Sequence, residues 1–170
     1  MKKIIKYLYL NTFIIRIHLF FRYHVMPEKL YLKRRFKRTF KRELDLDNPK
    51  TLNEKIVWLK LNDRTPLHTI CADKYAVRSY IKEKVGEEYL VPLFYQTKNV
   101  KEIIPENLPD TPCIIKANHD SGGGIFVLDK SKTDWEEAQE SLKKRLKKNY
   151  YPRSKEWQYK NIKLSFHQAF

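Results

Sequence analysis

The chain has 170 residues and carries a formal net charge of +15, from 35 Lys and Arg against 20 Asp and Glu. That length suits one domain, or a domain with an arm, and its 42% hydrophobic content excludes wholesale disorder because that much apolar surface can be buried. Four glycines exclude a collagen-like or glycine-repeat chain, and Cys71 and Cys113, which lack Cys-x-x-Cys spacing, exclude a disulfide scaffold or a cysteine-rich zinc site and fit a reduced, cytosolic setting.

The charge is concentrated at the start. Residues 1–42 hold 13 Lys and Arg and a single acid, Glu28, whereas residues 43–170 hold 22 Lys and Arg against 19 acids. The first 25 residues are rich in Ile, Leu, Phe and Tyr, but Lys6, Asn11, Arg16, His18 and Arg22 interrupt the run. A membrane-spanning helix needs about 20 predominantly apolar residues in succession, so spanning is not expected. A cleavable signal peptide fits poorly as well, for want of an uncharged core before a small-residue cleavage site. What remains is a basic amphipathic arm over 1–42, with Phe36 and Phe40 four apart on one helical face. Such an arm suits an anionic membrane leaflet or an acidic polymer. It equally suits a helix packed on the domain with a solvated basic face. No groove-reading motif points to nucleic acid.

Asn48-Pro49 breaks the chain, and Thr51-Leu52-Asn53-Glu54 reads as a capping box opening a helix from about Leu52 to Leu61, with Leu52, Ile56 and Leu59 on one stripe. Thr65-Pro66 opens a short second helix. Asp73 caps a third, with Ala76, Val77, Tyr80, Ile81 and Val85 at helical spacing and Gly86 placed to end it. Tyr89–Tyr95 reads as a strand in which Pro92 marks an edge or a bend. After a proline-containing connector over 98–112, Cys113–Asn118 and Ile125–Leu128 read as two strands of an antiparallel hairpin. Thr133-Asp134-Trp135-Glu136 is a second capping box, leading a helix to about Lys148 with Trp135, Ala138, Leu142 and Leu146 on its buried stripe. The pattern is α+β.

The segment with chemical content runs from Ile114 to Gly124. Lys116 sits inside an apolar strand beside His119, Asp120, Ser121, Gly122, Gly123 and Gly124, which hold three of the chain's four glycines. Glycine lets backbone N–H groups approach a ligand, successive N–H groups cradle phosphate oxygens, and a lysine ammonium neutralises them. The loop is neither a Walker A motif nor a Gly-x-Gly-x-x-Gly fingerprint. The same spacing also fits a plain hairpin turn with Lys116 facing solvent. His119-Asp120 suits an acid–base pair, a metal-ligand pair or simply a turn cap, and no second ligand cluster exists to complete a metal site.

Five separated blocks carry a resemblance: Asn48–Leu61, Asp73–Arg78, Tyr89–Pro92, Lys116–Gly123 and Trp157–Lys163. In this order they resemble the TupA-like ATP-grasp proteins over about residues 43–163. The family's namesake is tied to teichuronopeptide biosynthesis, and members are often labelled glycosyltransferases or polysaccharide biosynthesis proteins. The resemblance implies a partial ATP-grasp-like fold, with residues 43–163 as its first half, and an ATP-dependent ligase or transferase of cell-surface polysaccharide assembly. ATP and Mg²⁺ are the implied cofactors, and a sugar, amino acid or peptide of a surface polymer is the implied acceptor. It places Lys116 as the phosphate-binding strand lysine and Ser121, Gly122 and Gly123 in the flexible loop. Lys74, in the Asp-Lys block, becomes a second lysine near phosphate. Residues 164–170 depart from the family pattern. The expectation is therefore a truncated chain without the metal-binding half, cytoplasmic, with a peripheral contact at the inner face of the membrane as the arm's role. The alternative is a non-catalytic peripheral protein acting through that arm, or an idle remnant.

Overall fold

The computed structural model describes residues 12–120 and 122–169. The start of the expected amphipathic run, residues 1–11, and the loop residue Ser121 lie outside them. By internal contacts the chain forms two compact units. One takes in the described residues up to Arg64 together with Tyr150–Glu156, and the other holds Thr65–Asn149 with the residues from Trp157 onward.

In the first unit, helix α1 (12–20) runs into a π-helical turn, Phe21–Val25, closed by the Met26 N–H donating to Phe21 O at 2.9 Å. Pro27 ends that run, and α2 (Glu28–Phe40) follows with Tyr31, Leu32 and Phe36 buried. Helix α3 (Leu52–Asn62) begins at the expected capping box. Thr51 Oγ1 accepts from the Glu54 N–H, and Glu54 Oε2 accepts from the Thr51 N–H at 2.8 Å. The buried stripe differs from the expected one. Leu52, Ile56 and Leu59 are exposed, Leu52 at 72%, and Glu54, Val57 and Leu61 turn inward instead, the last two onto a cluster of Phe36, Leu44 and Leu46. Nearly every position of this helix is apolar or long-stemmed, so periodicity alone did not select a face. The Glu54 carboxylate, paired with Arg42, fixes the rotation.

Tyr150–Glu156 is held to this unit by polar contacts that periodicity does not reveal. Lys155 is buried with its ammonium donating to Tyr23 O at 2.7 Å, over the rings of Tyr31 and Tyr151. Tyr31 Oη and Arg35 Nη1 both donate to Arg153 O at 2.8 Å.

The second unit is a four-stranded antiparallel sheet with helices. Helices α4 (Pro66–Ala72) and α5 (Val77–Lys84) precede strand β1 (Leu93–Thr97), then come β2 (Cys113–Ala117), β3 (Ile125–Val127), α6 (Trp135–Leu146) and β4 (Phe166–Ala169). The sheet order is β1-β4-β2-β3. The expected strand at Tyr89–Tyr95 starts later, because Glu87–Tyr89 forms a 3₁₀ turn and the chain joins the sheet only past Pro92, on an edge. The hairpin of β2 and β3 forms as expected. The cap of α6 is Asp134, which accepts from the Glu137 N–H at 2.9 Å, not Thr133, whose hydroxyl donates to Asp129 O.

Cys113, Ile115 and Ala117 alternate into a core completed by Val127, Phe166, Leu142, Ile103 and Leu108. The last two come from the connector, folded as two 3₁₀ turns that drive Ile103 and Leu108 inward. This is the expected α+β arrangement.

Candidate functional site

The pleat that buries Ile115 and Ala117 sends Lys116 to the other face of the sheet. On neighbouring β4, Phe166 points into the core and His167 takes the face of Lys116, directly opposite it in register. Side chains paired in this way across antiparallel strands sit with Cβ atoms roughly 5 Å apart. The turn between α4 and α5 comes over this face, bringing Asp73 and Lys74, and α5 adds Arg78.

Asn118 ties these parts together and is fully buried. Its Nδ2 donates to Asp73 Oδ2 at 2.8 Å and to Lys163 O at 2.9 Å, and its Oδ1 accepts from the Ser165 N–H at 3.0 Å. Its backbone N–H donates to Ser165 O at 2.9 Å, and its carbonyl accepts from the Lys74 N–H at 3.0 Å. Asp73 Oδ1 accepts from the N–H groups of Tyr75 and Ala76 and so closes the turn before α5, whereas the expected helix cap falls at Ala76, which brings no side-chain bond.

Lys74 is a clamp on the loop, its ammonium donating to Asp120 O and, at 3.4 Å, to Asn118 O. Burial lowers its pKa; Asp120 opposes that effect and Lys116 adds to it. Lys116 is half-buried and makes no hydrogen bond or ion pair among the described residues.

The loop is less open than its glycines suggest. Asn118, His119 and Asp120 are buried, and among the described loop residues Gly122 and Gly123 are the exposed ones. His119 points its Nε2 to Lys148 O at 2.9 Å, past the end of α6, and burial lowers its pKa. Arg145 Nη1 bridges Asp120 Oδ2 at 2.8 Å and Gly122 O at 3.0 Å, fixing the loop from α6. Gly123 has φ +82, and a Cβ there would collide with the Arg145 guanidinium; a Cβ on Gly124 would press on Ile114 and the Ile115 carbonyl. Gly122 faces open space. Thus the structure brings Lys116, Lys74 and the glycine loop to one end of the hairpin and turns His119 away from Lys116 toward α6.

Sequence reasoning missed Asn118 as the hub, Arg145 as the loop brace and His167 altogether. His167 is 7% exposed, and burial first, then the charges of Lys74 and Lys116, push its pKa down to about 4. Its position after the last block of the resemblance, Trp157–Lys163, gave no signal of its own.

The family model for TupA-like ATPgrasp matches residues 54–166, and the chain belongs to that family. No curated protein and no solved structure matches the chain.

Family membership implies nucleotide binding, and ATP-grasp proteins generally use ATP with Mg²⁺. The polar face fits phosphate in one respect: it offers Lys116, a cation without a hydrogen-bond or ion-pair partner among the described residues. For Mg²⁺ the fit is lacking, since among the described residues no three His, Cys, Asp or Glu side chains gather as a metal-holding set. What these residues supply is positive charge and backbone donors.

Proposed function

We propose that this chain binds the phosphates of ATP at the Lys116 face and serves ATP-dependent ligation or transfer in cell-surface polysaccharide assembly. The observation that carries the reading is Lys116, an ammonium on a strand with no hydrogen bond or ion pair among the described residues, at the same loop end as Lys74 and a glycine loop braced by Arg145. In this reading Lys116 meets phosphate directly. Lys74, His119 and Arg145 hold the loop in place, and Gly122 and Gly123 leave its outer backbone accessible, with Ser121 between Asp120 and Gly122 in the same loop. The bound nucleotide supplies an activated phosphoryl group; the chain's own part is to orient it and balance its charge.

The test is ATP affinity by calorimetry for the chain and for Lys116→Ala. A charged hydrogen bond contributes about 1.5–3 kcal/mol, so the variant should bind roughly tenfold to a hundredfold more weakly. Equal affinity would remove the phosphate role. The polymer assignment follows the family and is tested separately, by loss of surface polysaccharide when the gene is deleted.

A second reading concerns the first unit. Phe13, Ile14, Ile15, Ile17, Phe20 and Phe21 are exposed around the first helical segment, next to Arg16, Arg22 and the basic face of α2. No helix among the described residues is long and apolar enough to cross a membrane. Exposed apolar side chains interleaved with cations suit a peripheral seat on an anionic leaflet, where each nearby Lys or Arg contributes about 1 kcal/mol.

A further inference from the structure

His167 occupies an unusual position. It is buried, its Nδ1 has no hydrogen-bond partner among the described residues, and it lies opposite Lys116 in the register of β2 and β4. The charged groups that bear on it come from each element over this face: Asp73 and Lys74 from the turn after α4, Arg78 from α5, and Lys116 from β2. On its other flank, β1 contributes Gln96, which is uncharged. Three cations therefore face the imidazole against one acid. That acid is already engaged, since both oxygens of Asp73 accept hydrogen bonds from Tyr75, Ala76 and Asn118.

We propose that His167 is a proton-linked ligand of the phosphoanhydride group bound at this face, taking up a proton from solvent as the anion seats against Lys116. The inference rests on the nucleotide reading above and adds to it a residue and a pH dependence. No bond to carbon or phosphorus changes; one proton moves from solvent to the ring.

The physical cause is the sign of the surrounding charge. With the face empty, imidazolium would sit among Lys74, Lys116 and Arg78 in a partly desolvated site, and that environment holds the ring neutral near pH 7. An arriving phosphate reverses the local field. It offsets the repulsion and offers the ring N–H an acceptor, so the protonated form gains stability relative to the neutral one. Anion binding then raises the affinity for the proton, and by reciprocity protonation raises the affinity for the anion.

The direct test is the NMR titration of the His167 imidazole in the full chain, with and without ATP. The expected result is an upward move of the midpoint by at least about one pH unit, equivalent to a tenfold coupling. Inorganic tripolyphosphate should produce the same move and adenosine none. If the probe responds to adenosine as much as to ATP, the phosphate is not its partner and the proposal is overturned. The second arm is calorimetry with His167→Asn in buffers of different ionisation enthalpy. Near pH 5 wild type should take up more protons per ATP than the variant, and its affinity advantage should grow as the pH falls from about 7 toward 5 and vanish by about pH 8. ATP binding by wild type with an unmoved midpoint overturns the role of His167 alone. No ATP binding at any pH overturns the nucleotide reading and this one with it. The wild-type titration decides the matter even if the variant does not fold.

Discussion

At the scale of single residues, His167 links stability to pH. Its folded-state pKa of about 4 lies below its ordinary 6.5, so the unfolded chain binds the proton more readily. The sign follows: stability is fully present above about pH 6.5, falls as the pH drops toward 4, and levels off below it. The loss amounts to roughly 3 kcal/mol. Denaturant titrations at stepped pH should show this slope in wild type and not in His167→Gln; parallel curves would mean the imbalance of charge is not felt. Lys116 was legible beforehand because a lysine among Ile114, Ile115 and Ala117 breaks an apolar pattern. Asn118 and His167 were not, because their roles depend on partners far along the chain: Lys163 and Ser165 for one, Lys74 and Lys116 for the other.

At the scale of elements, caps were the most readable feature. The box at Thr51 and Glu54 is present with both reciprocal bonds, and Thr51 together with Arg42 holds the Glu54 pKa at about 2. Thr51→Ala should destabilise the first unit by about 1 kcal/mol, measured by urea unfolding, with α3 fraying at its start. A change indistinguishable from zero would mean that Arg42 alone secures the turn. The α6 cap lay one residue away from the expected Thr133 because Asp134 offers a carboxylate at the same end, and two adjacent cap-forming residues cannot be ranked by spacing. The face of α3 was misjudged for a related reason: apolar residues all round a helix leave its rotation to a buried polar group. Strand β4 was invisible, since Phe166–Ala169 has no alternation long enough to register and becomes a strand only between β1 and β2.

At the scale of the whole molecule, the basic character belongs to residues 1–42 and the remainder is close to neutral. If that segment seats the protein on anionic lipid, co-sedimentation with phosphatidylserine-containing vesicles should fall steeply as salt rises and vanish with neutral vesicles. Binding indifferent to salt would point to apolar insertion alone. Deleting residues 1–42 is a poor control, because Tyr31, Leu32 and Phe36 are buried in the first unit. Neutralising exposed cations such as Arg34 and Arg38 separates docking from folding.

The order β1-β4-β2-β3 also has a kinetic consequence. Two halves of one sheet are synthesised early and have no ladder between them until residues 166–169 emerge. Until then β1 and one margin of β2 present bare backbone, the arrangement most open to pairing with another chain. Closure joins segments far apart in sequence, which makes assembly slow for a body of this size. Stopped-flow refolding should accordingly find β1 protected from hydrogen exchange only in the last phase, whereas the β2–β3 hairpin is protected before it.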